Sequence, residues 1–272
     1  MTLSRSLTNS LVAISLSFGL VAAASAQVKP SVKEIGPLPP ASVIYIGNSF
    51  FYYNNSLHGQ VGNMVNEGLK GHKYRGSSVT ISGSGMDWHD VDSYFRQNGV
   101  GKYSFVENNR VVFNPPGGKL FEVAVMMDCS QCPIHPTLKE VFTEYTKKHS
   151  DTVRKHGAVP VFFMSWAYQD APEMTQSLAD AYTVAGNANQ ALVIPAGLAF
   201  ARSIAVRPEL NLYVADKRHP SPAGTYLAAA TTYAALFKKS PVGLKYNAGL
   251  TPEVAAHLQQ VAWDTVQQYL AR

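Results

Sequence analysis

The sequence predicts an α/β protein: a parallel sheet with helices on both faces. Short β-rich runs alternate with helical spacing about five times, which is the order a parallel sheet requires. Ser42–Ile46 and Phe121–Met127 are apolar enough to be buried strands, and the first strands run into glycine-containing turns, Gly47-Asn48-Ser49 and Gly83-Ser84-Gly85.

In chain order, residues 1–26 carry one Arg, an apolar stretch from Leu11 to Ala24, and the small residues Ala24-Ser25-Ala26. That pattern predicts a secretory signal cut after Ala26, and hence a periplasmic or extracellular protein. Gln27–Pro40, proline-rich and without periodicity, reads as an extended lead-in to a single domain over residues 41–272. Ser42–Ile46 is the opening strand, and Leu57–Leu69 has helical spacing that stops near Gly71. Ser78–Ser82 is strand-like, Asn98–Gly118 reads as an excursion or small hairpin over the sheet edge, and Phe121–Met127 is a strand. Thr137–His156 is helical, Val159–Met164 a strand, Ala171–Asn189 helical and Ala191–Ile194 a last short strand. Ser221–Phe237 is an alanine-rich helix, and Thr251–Arg272 is amphipathic with Val254, Leu258, Val261 and Val266 on its apolar side.

Composition narrows the function. The formal net charge of +5 falls to +4 once Arg5 leaves with the signal, and Lys and Arg are scattered. Nucleic acid is therefore not an expected partner. After the signal no window approaches the ~20 apolar residues of a membrane span, so stable membrane insertion is not expected either.

In a parallel sheet, ligands bind beyond the carboxyl ends of the strands. Ser49 stands at such an end, and Asp216-Lys217-Arg218-His219 lies just before the alanine-rich helix. A serine hydroxyl becomes nucleophilic when a neighbouring base takes its proton, and that base needs a partner that fixes its tautomer. An Asp three residues ahead of a His in one tight loop supplies both base and partner. Either motif alone is common; the pair is far more specific.

Val43-Ile44-Tyr45-Ile46-Gly47-Asn48-Ser49-Phe50 resembles the first block of the SGNH, or GDSL-like, hydrolases, and Asp216-Lys217-Arg218-His219-Pro220-Ser221 resembles their last. The likeness extends to Pro195–Ala199 and Gly224–Ala228, and is closest to a bacterial branch with Gly-Asn-Ser where better-known relatives carry Gly-Asp-Ser. This resemblance implies a three-layer α/β/α, flavodoxin-like fold and cofactor-free ester hydrolysis through an acyl-enzyme. It implies Ser49 as nucleophile, His219 as general base, Asp216 as its orienting carboxylate, and the amides of Ser49 and Gly83 as oxyanion donors, with Gly85 the alternative to Gly83. The expected substrate is a small-molecule or polysaccharide ester, such as an acetylated carbohydrate.

One block departs from the family. Where a third oxyanion donor, Asn or Gln, is usual, this chain reads Met126-Met127-Asp128-Cys129-Ser130-Gln131-Cys132. Methionine cannot donate and an ionised Asp128 would repel an oxyanion, which leaves Gln131 or Ser130 as replacements, or else a weakened protein that binds carbohydrate or lipid without cleaving it. Cys129 and Cys132 are expected to pair locally in an exported protein, and C-x-x-C after a strand also resembles a dithiol-exchange site. With His135 they make three ligands where a closed zinc site wants four, so no metal is expected. Trp166, Phe50 and Gln131 are candidates to line the substrate cleft, as are Phe51, Tyr52 and Tyr53, with packing under a loop the alternative for Trp166 and the first buried turn of a helix the alternative for Phe50 to Tyr53; His58, His89 and Asp87 have no assignable partner.

Overall fold

The computed structural model describes residues 28–36, 39–97, 99–100, 103–113 and 119–271. The expected signal, residues 1–26, lies outside them. Five strands form one parallel sheet: β1 (Ser42–Gly47), β2 (Arg75–Thr80), β5 (Val123–Met126), β6 (Val159–Phe163) and β7 (Leu192–Ile194). Their spatial order is β2-β1-β5-β6-β7, the flavodoxin-like arrangement that reverses direction between the first strand and the third of the sheet.

The sheet is covered on both faces because its strands are apolar on both. Val43, Tyr45, Val125 and Phe163 pack with α2 (Leu57–Gly68), α7 (Pro222–Phe237) and α8 (Pro252–Ala271), whereas Ile44, Ile46, Met126 and Phe162 pack with α4 (Lys139–Lys155) and α5 (Met174–Ala188). Helix α7 is buried from Ala223 to Phe237. Its alanines permit close approach of its neighbours, among them β7 of the sheet and α8. Ser221 caps it by accepting from the Gly224 amide at 3.2 Å, with Pro222 in the first turn. This fixes where the preceding loop, the one bearing His219, leaves the helix. No helix among the described residues is long and apolar enough to cross a membrane.

Several boundaries differ from the sequence reading. β2 starts at Arg75 because it pairs with the full length of β1, from Ser42↔Arg75 to Gly47↔Thr80. As an edge strand it is only half-buried, which conceals it from hydrophobic periodicity. α6 (Ala196–Val206) was not predicted, and α1 (Ser49–Tyr52) and α3 (Val91–Tyr94) are single turns. The excursion after α3 contains the expected hairpin, β3 (Tyr103–Val106) against β4 (Arg110–Phe113), as a separate two-stranded sheet. In the lead-in, the described residues form no strand or helix; Asn187 of α5 binds Ser31 and Lys29, and Ile35 is buried in the core.

Candidate active site

Ser49 is the first residue of α1, and Asn48 is its cap: Asn48 Oδ1 accepts from the Phe50 amide at 3.2 Å. A helix turn starting so abruptly at a strand end needs a close approach, and Gly47 provides it, since a Cβ there would sit 2.9 Å from the Phe51 ring. Ser49 is 6% exposed.

Two loops converge on this turn. After β2, Ile81–Ser84 forms a β-turn closed by the Ser84 amide to Ile81 C=O at 3.2 Å, and Gly83 takes φ +72°, a value that favours glycine. The turn is tied to the strand end that carries Ser49 by the Ile81 amide and Ser84 Oγ, which both donate to Gly47 C=O, at 3.0 and 3.3 Å. Asn48 Nδ2 donates to Ser84 C=O at 2.9 Å and to Asp128 C=O at 3.2 Å, so one side-chain amide joins the loops after β1, β2 and β5. A carboxylate could accept as the cap but could not donate these two bonds, which gives a physical role to the Asn of Gly-Asn-Ser. The amides of Ser49 and Gly83 donate to no described residue of the chain.

The other half of the site comes from residues 213–220. Tyr213 and Pro220 form an isolated β-bridge, Val214 N–H donates to His219 C=O at 2.9 Å, and Lys217 turns the chain with φ +63°. Within this loop Asp216 Oδ1 accepts from the Arg218 and His219 amides at 2.8 and 2.9 Å, and Asp216 Oδ2 lies 2.5 Å from His219 Nδ1. His219 Nε2 lies 2.7 Å from Ser49 Oγ, across a sequence separation of 170. Folding therefore brings the three sequence-predicted groups into one chain of hydrogen bonds. Partial burial acts to raise the Asp216 pKa, but the His219 ring and the two amides outweigh it and hold the carboxyl down at about 2. Asp216 is thus ionised at neutral pH and accepts a proton-bearing Nδ1, leaving Nε2 facing the Ser49 hydroxyl as acceptor.

The imidazole is held by aromatic rings. Tyr53 stacks on it at 4.4 Å and 10°, and Phe50 meets it edge-on at 5.6 Å. Beneath them Phe50, Trp166 and Phe200 form a parallel stack, with centroid separations of 4.5 and 4.2 Å. Trp166 Nε1 donates to Arg218 C=O at 3.0 Å. Of the two readings open for these rings, the contacts favour packing over cleft lining: Trp166 is 0% exposed and Phe50 5%, and both support the site from below. Burial of an aromatic cluster under the His219 loop outweighed the placement of Trp166 at a strand end. Phe51 is likewise in the core. Tyr52 is 40% exposed, with its hydroxyl 3.0 Å from Ser82 Oγ on the glycine turn.

The third block takes an unexpected form. Asp128 is 2% exposed, and its Oδ1 accepts from the Met86 and Cys129 amides at 2.9 and 2.7 Å. Burial raises its pKa to about 6, opposed by those two amides. Ser130 Oγ lies 2.7 Å from Tyr168 Oη, and Gln131 is half-buried with no side-chain hydrogen bond to another described residue, so neither is engaged at Ser49. Cys129 and Cys132 are joined as a disulfide. Asp128 Oδ and the two sulfurs lie within 4.8 Å of one another, whereas His135 is not of that group, and both sulfurs are spent on their mutual bond.

Some participants escaped the sequence reading. Asn54 donates from Nδ2 to Pro220 C=O at 2.9 Å and to Thr225 Oγ1 at 2.8 Å, tying the loop after α1 to the residue following His219. The signal was present as Asn54-Asn55-Ser56, three residues all at positive φ, but it also spells a glycosylation sequon. His89 lies behind the glycine turn, with Nε2 3.0 Å from Ser84 Oγ and Nδ1 3.1 Å from Tyr94 Oη. Burial, with His149 adding to it, pushes its pKa down to about 4, so its imidazole is neutral at pH 7. His58 Nδ1 pairs with Ser56 Oγ at 2.7 Å.

The sequence matches no family model and no curated protein. The structure is similar to several solved ones. A DUF4886 family protein from Bacteroides uniformis superposes with a TM-score of 0.58 at 18% identity, over 84% of this chain and 95% of that one. A Slackia heliotrinireducens protein assigned to the SGNH hydrolases gives 0.52 at 19% identity, over 73% and 100%. An acetyl xylan esterase, AlAXEase, gives 0.51 at 15%, over 71% and 98%. At such identities the likeness is one of architecture, and it agrees with the sequence blocks quoted above. The chain has the fold of the SGNH, or GDSL-like, hydrolases.

Proposed function

We propose that this chain is an exported serine esterase that cleaves a small acyl ester through an acyl-enzyme. The observation that carries the reading is the imidazole of His219 bridging Ser49 Oγ at 2.7 Å and Asp216 Oδ2 at 2.5 Å. Nε2 takes the Ser49 proton as Oγ attacks the ester carbonyl, and Asp216 stabilises the imidazolium that forms. The imidazolium then returns the proton to the leaving alcohol. Water, deprotonated by the same nitrogen, attacks the acyl-serine and releases the acid. The free amides of Ser49 and Gly83 are the oxyanion donors, each worth roughly 3 kcal/mol in the transition state.

A small acyl group suits the 6% exposure of Ser49. The exposed ring of Tyr52, hydrogen-bonded to the glycine turn, offers a flat apolar face on which the sugar of an acetylated carbohydrate can stack. Export rests on the sequence pattern of residues 1–26. Purified protein lacking that segment should hydrolyse p-nitrophenyl acetate, and Ser49→Ala should remove the activity. Turnover that survives the substitution unchanged would exclude this nucleophile.

One observation favours a second reading. Asp128 is engaged with amides and Ser130 with Tyr168, and the Gln131 side chain makes no hydrogen bond to Ser49, so the esterase reading gives the oxyanion only two backbone donors. A carbohydrate- or lipid-binding protein that has lost hydrolysis would retain this geometry. Glycan binding by isothermal titration, with no turnover of any acetyl ester, would favour that reading.

A further inference from the structure

The Cys129–Cys132 loop takes no part in the reaction above, yet its surroundings are more elaborate than a local staple needs. The bond spans a sequence separation of 3 and so ties together no distant elements. Cys129 is half-buried and Cys132 is 8% exposed, so the first residue of the pair is the more exposed. The Cys132 amide donates to Cys129 Sγ at 3.0 Å, a contact that stabilises negative charge on that sulfur. Beside the pair, a carboxyl oxygen of Asp128 lies within 4.8 Å of both sulfurs, on a side chain 2% exposed. The Met86 and Cys129 amides hold this carboxyl in place through Oδ1, at 2.9 and 2.7 Å.

We infer that Cys129–Cys132 is a thiol–disulfide exchange site that oxidises a dithiol in a peptide substrate, with Asp128 as the acid that protonates the departing Cys132 sulfur. A substrate thiolate attacks Cys129 Sγ, forming a mixed disulfide as the Cys129–Cys132 bond breaks and its electron pair leaves on Cys132 Sγ. Asp128 gives that thiolate its proton and recovers one from solvent. The second substrate thiolate then attacks the substrate's own sulfur in the mixed disulfide and expels Cys129 as a thiolate, held by the Cys132 amide. The substrate loses two electrons and both thiol protons; the protein pair gains the two electrons. A small disulfide, such as oxidised glutathione, returns the pair to its starting state. The Asp128 carboxyl, raised by burial to about 6, can hold or release a proton near neutral pH.

The test uses the protein without residues 1–26, a fluorescent peptide bearing two cysteines, and oxidised glutathione. Wild-type protein is expected to accelerate peptide disulfide formation by about tenfold or more, and Asp128→Asn to lower that acceleration by about tenfold. In Cys132→Ser, oxidised glutathione caps Cys129 with release of one glutathione, and a peptide bearing a single cysteine then displaces the second glutathione, so a mixed disulfide between Cys129 and that peptide should accumulate and be located by mass spectrometry. A wild-type rate equal to that of buffer, with Cys129 and Cys132 still joined, would overturn the proposal even if the variants fail to fold. An Asp128→Asn rate equal to wild type would overturn the role of Asp128. Because the assay never consults ester cleavage, its failure is independent of Ser49.

Discussion

The indole N–H of Trp166, at the end of β6, donates to the backbone carbonyl of Arg218 at 3.0 Å. Through this bond a fully buried side chain sets the height of the loop that carries Asp216 and His219, while Phe50 and Phe200 fix the plane of the indole. Trp166→Phe keeps the ring in its stack but leaves the Arg218 carbonyl without this donor. Stability should fall by about 1 kcal/mol. Esterase kcat should fall by roughly tenfold with KM little changed, because the fault lies in presenting the base to Ser49 and not in holding substrate. Steady-state kinetics beside thermal unfolding checks both numbers.

Asn48 makes its own prediction. Asn48→Asp retains a cap for the Phe50 amide but sets a carboxylate against the carbonyls of Ser84 and Asp128. At pH 7 the loss should be about 1–3 kcal/mol, a buried donor having been replaced by a charged acceptor. Lowering the pH should recover part of it, since only the protonated carboxyl can donate. Denaturant titrations of the variant at pH 5 and pH 8 provide the comparison.

Three shifted groups give stability a defined pH dependence. The Asp216 carboxylate is favoured by folding, with its pKa at about 2, so its contribution is complete above the ordinary carboxyl range near 3.8 and is lost as pH falls toward 2. The neutral imidazole of His89, with its pKa at about 4, contributes fully above 6.5 and is lost as pH falls through 4. Asp128 runs the other way: folding favours its neutral form, so its contribution is complete below 3.8 and is lost as pH rises through about 6. Asp128→Asn should therefore gain on wild type between pH 4 and 6, by a difference on the order of 2 kcal/mol, measured by denaturant titration at each pH.

Much of this arrangement was legible in the sequence because strand period, turn chemistry and two short motifs are local signals. Ser49, Asp216 and His219 could be named because each sits in a block with its own neighbours, Gly47-Asn48 and Pro220-Ser221. The parts that were not legible depend on contacts between distant segments. For Trp166 the sequence leaves cleft lining and packing under a loop both open, since nothing local reveals that Phe50 and Phe200 bury both its faces. Asp128 read as a charge facing an oxyanion because the Met86 amide that accompanies it comes from the loop after β2. For β2 the sequence places the strand too late, at Ser78–Ser82 in place of Arg75–Thr80, since its residues are exposed or half-buried and owe their conformation to pairing with β1.

The central claim is that the hydroxyl of Ser49 is activated by His219. A fluorophosphonate probe measures this directly, because only a nucleophilic serine displaces its leaving group at a useful rate. The protein should take up one probe at Ser49, identified by peptide mass spectrometry, and His219→Ala should slow labelling by at least about a hundredfold. Equal labelling of wild type and His219→Ala, or a folded wild type that takes up no probe at Ser49, would contradict the account.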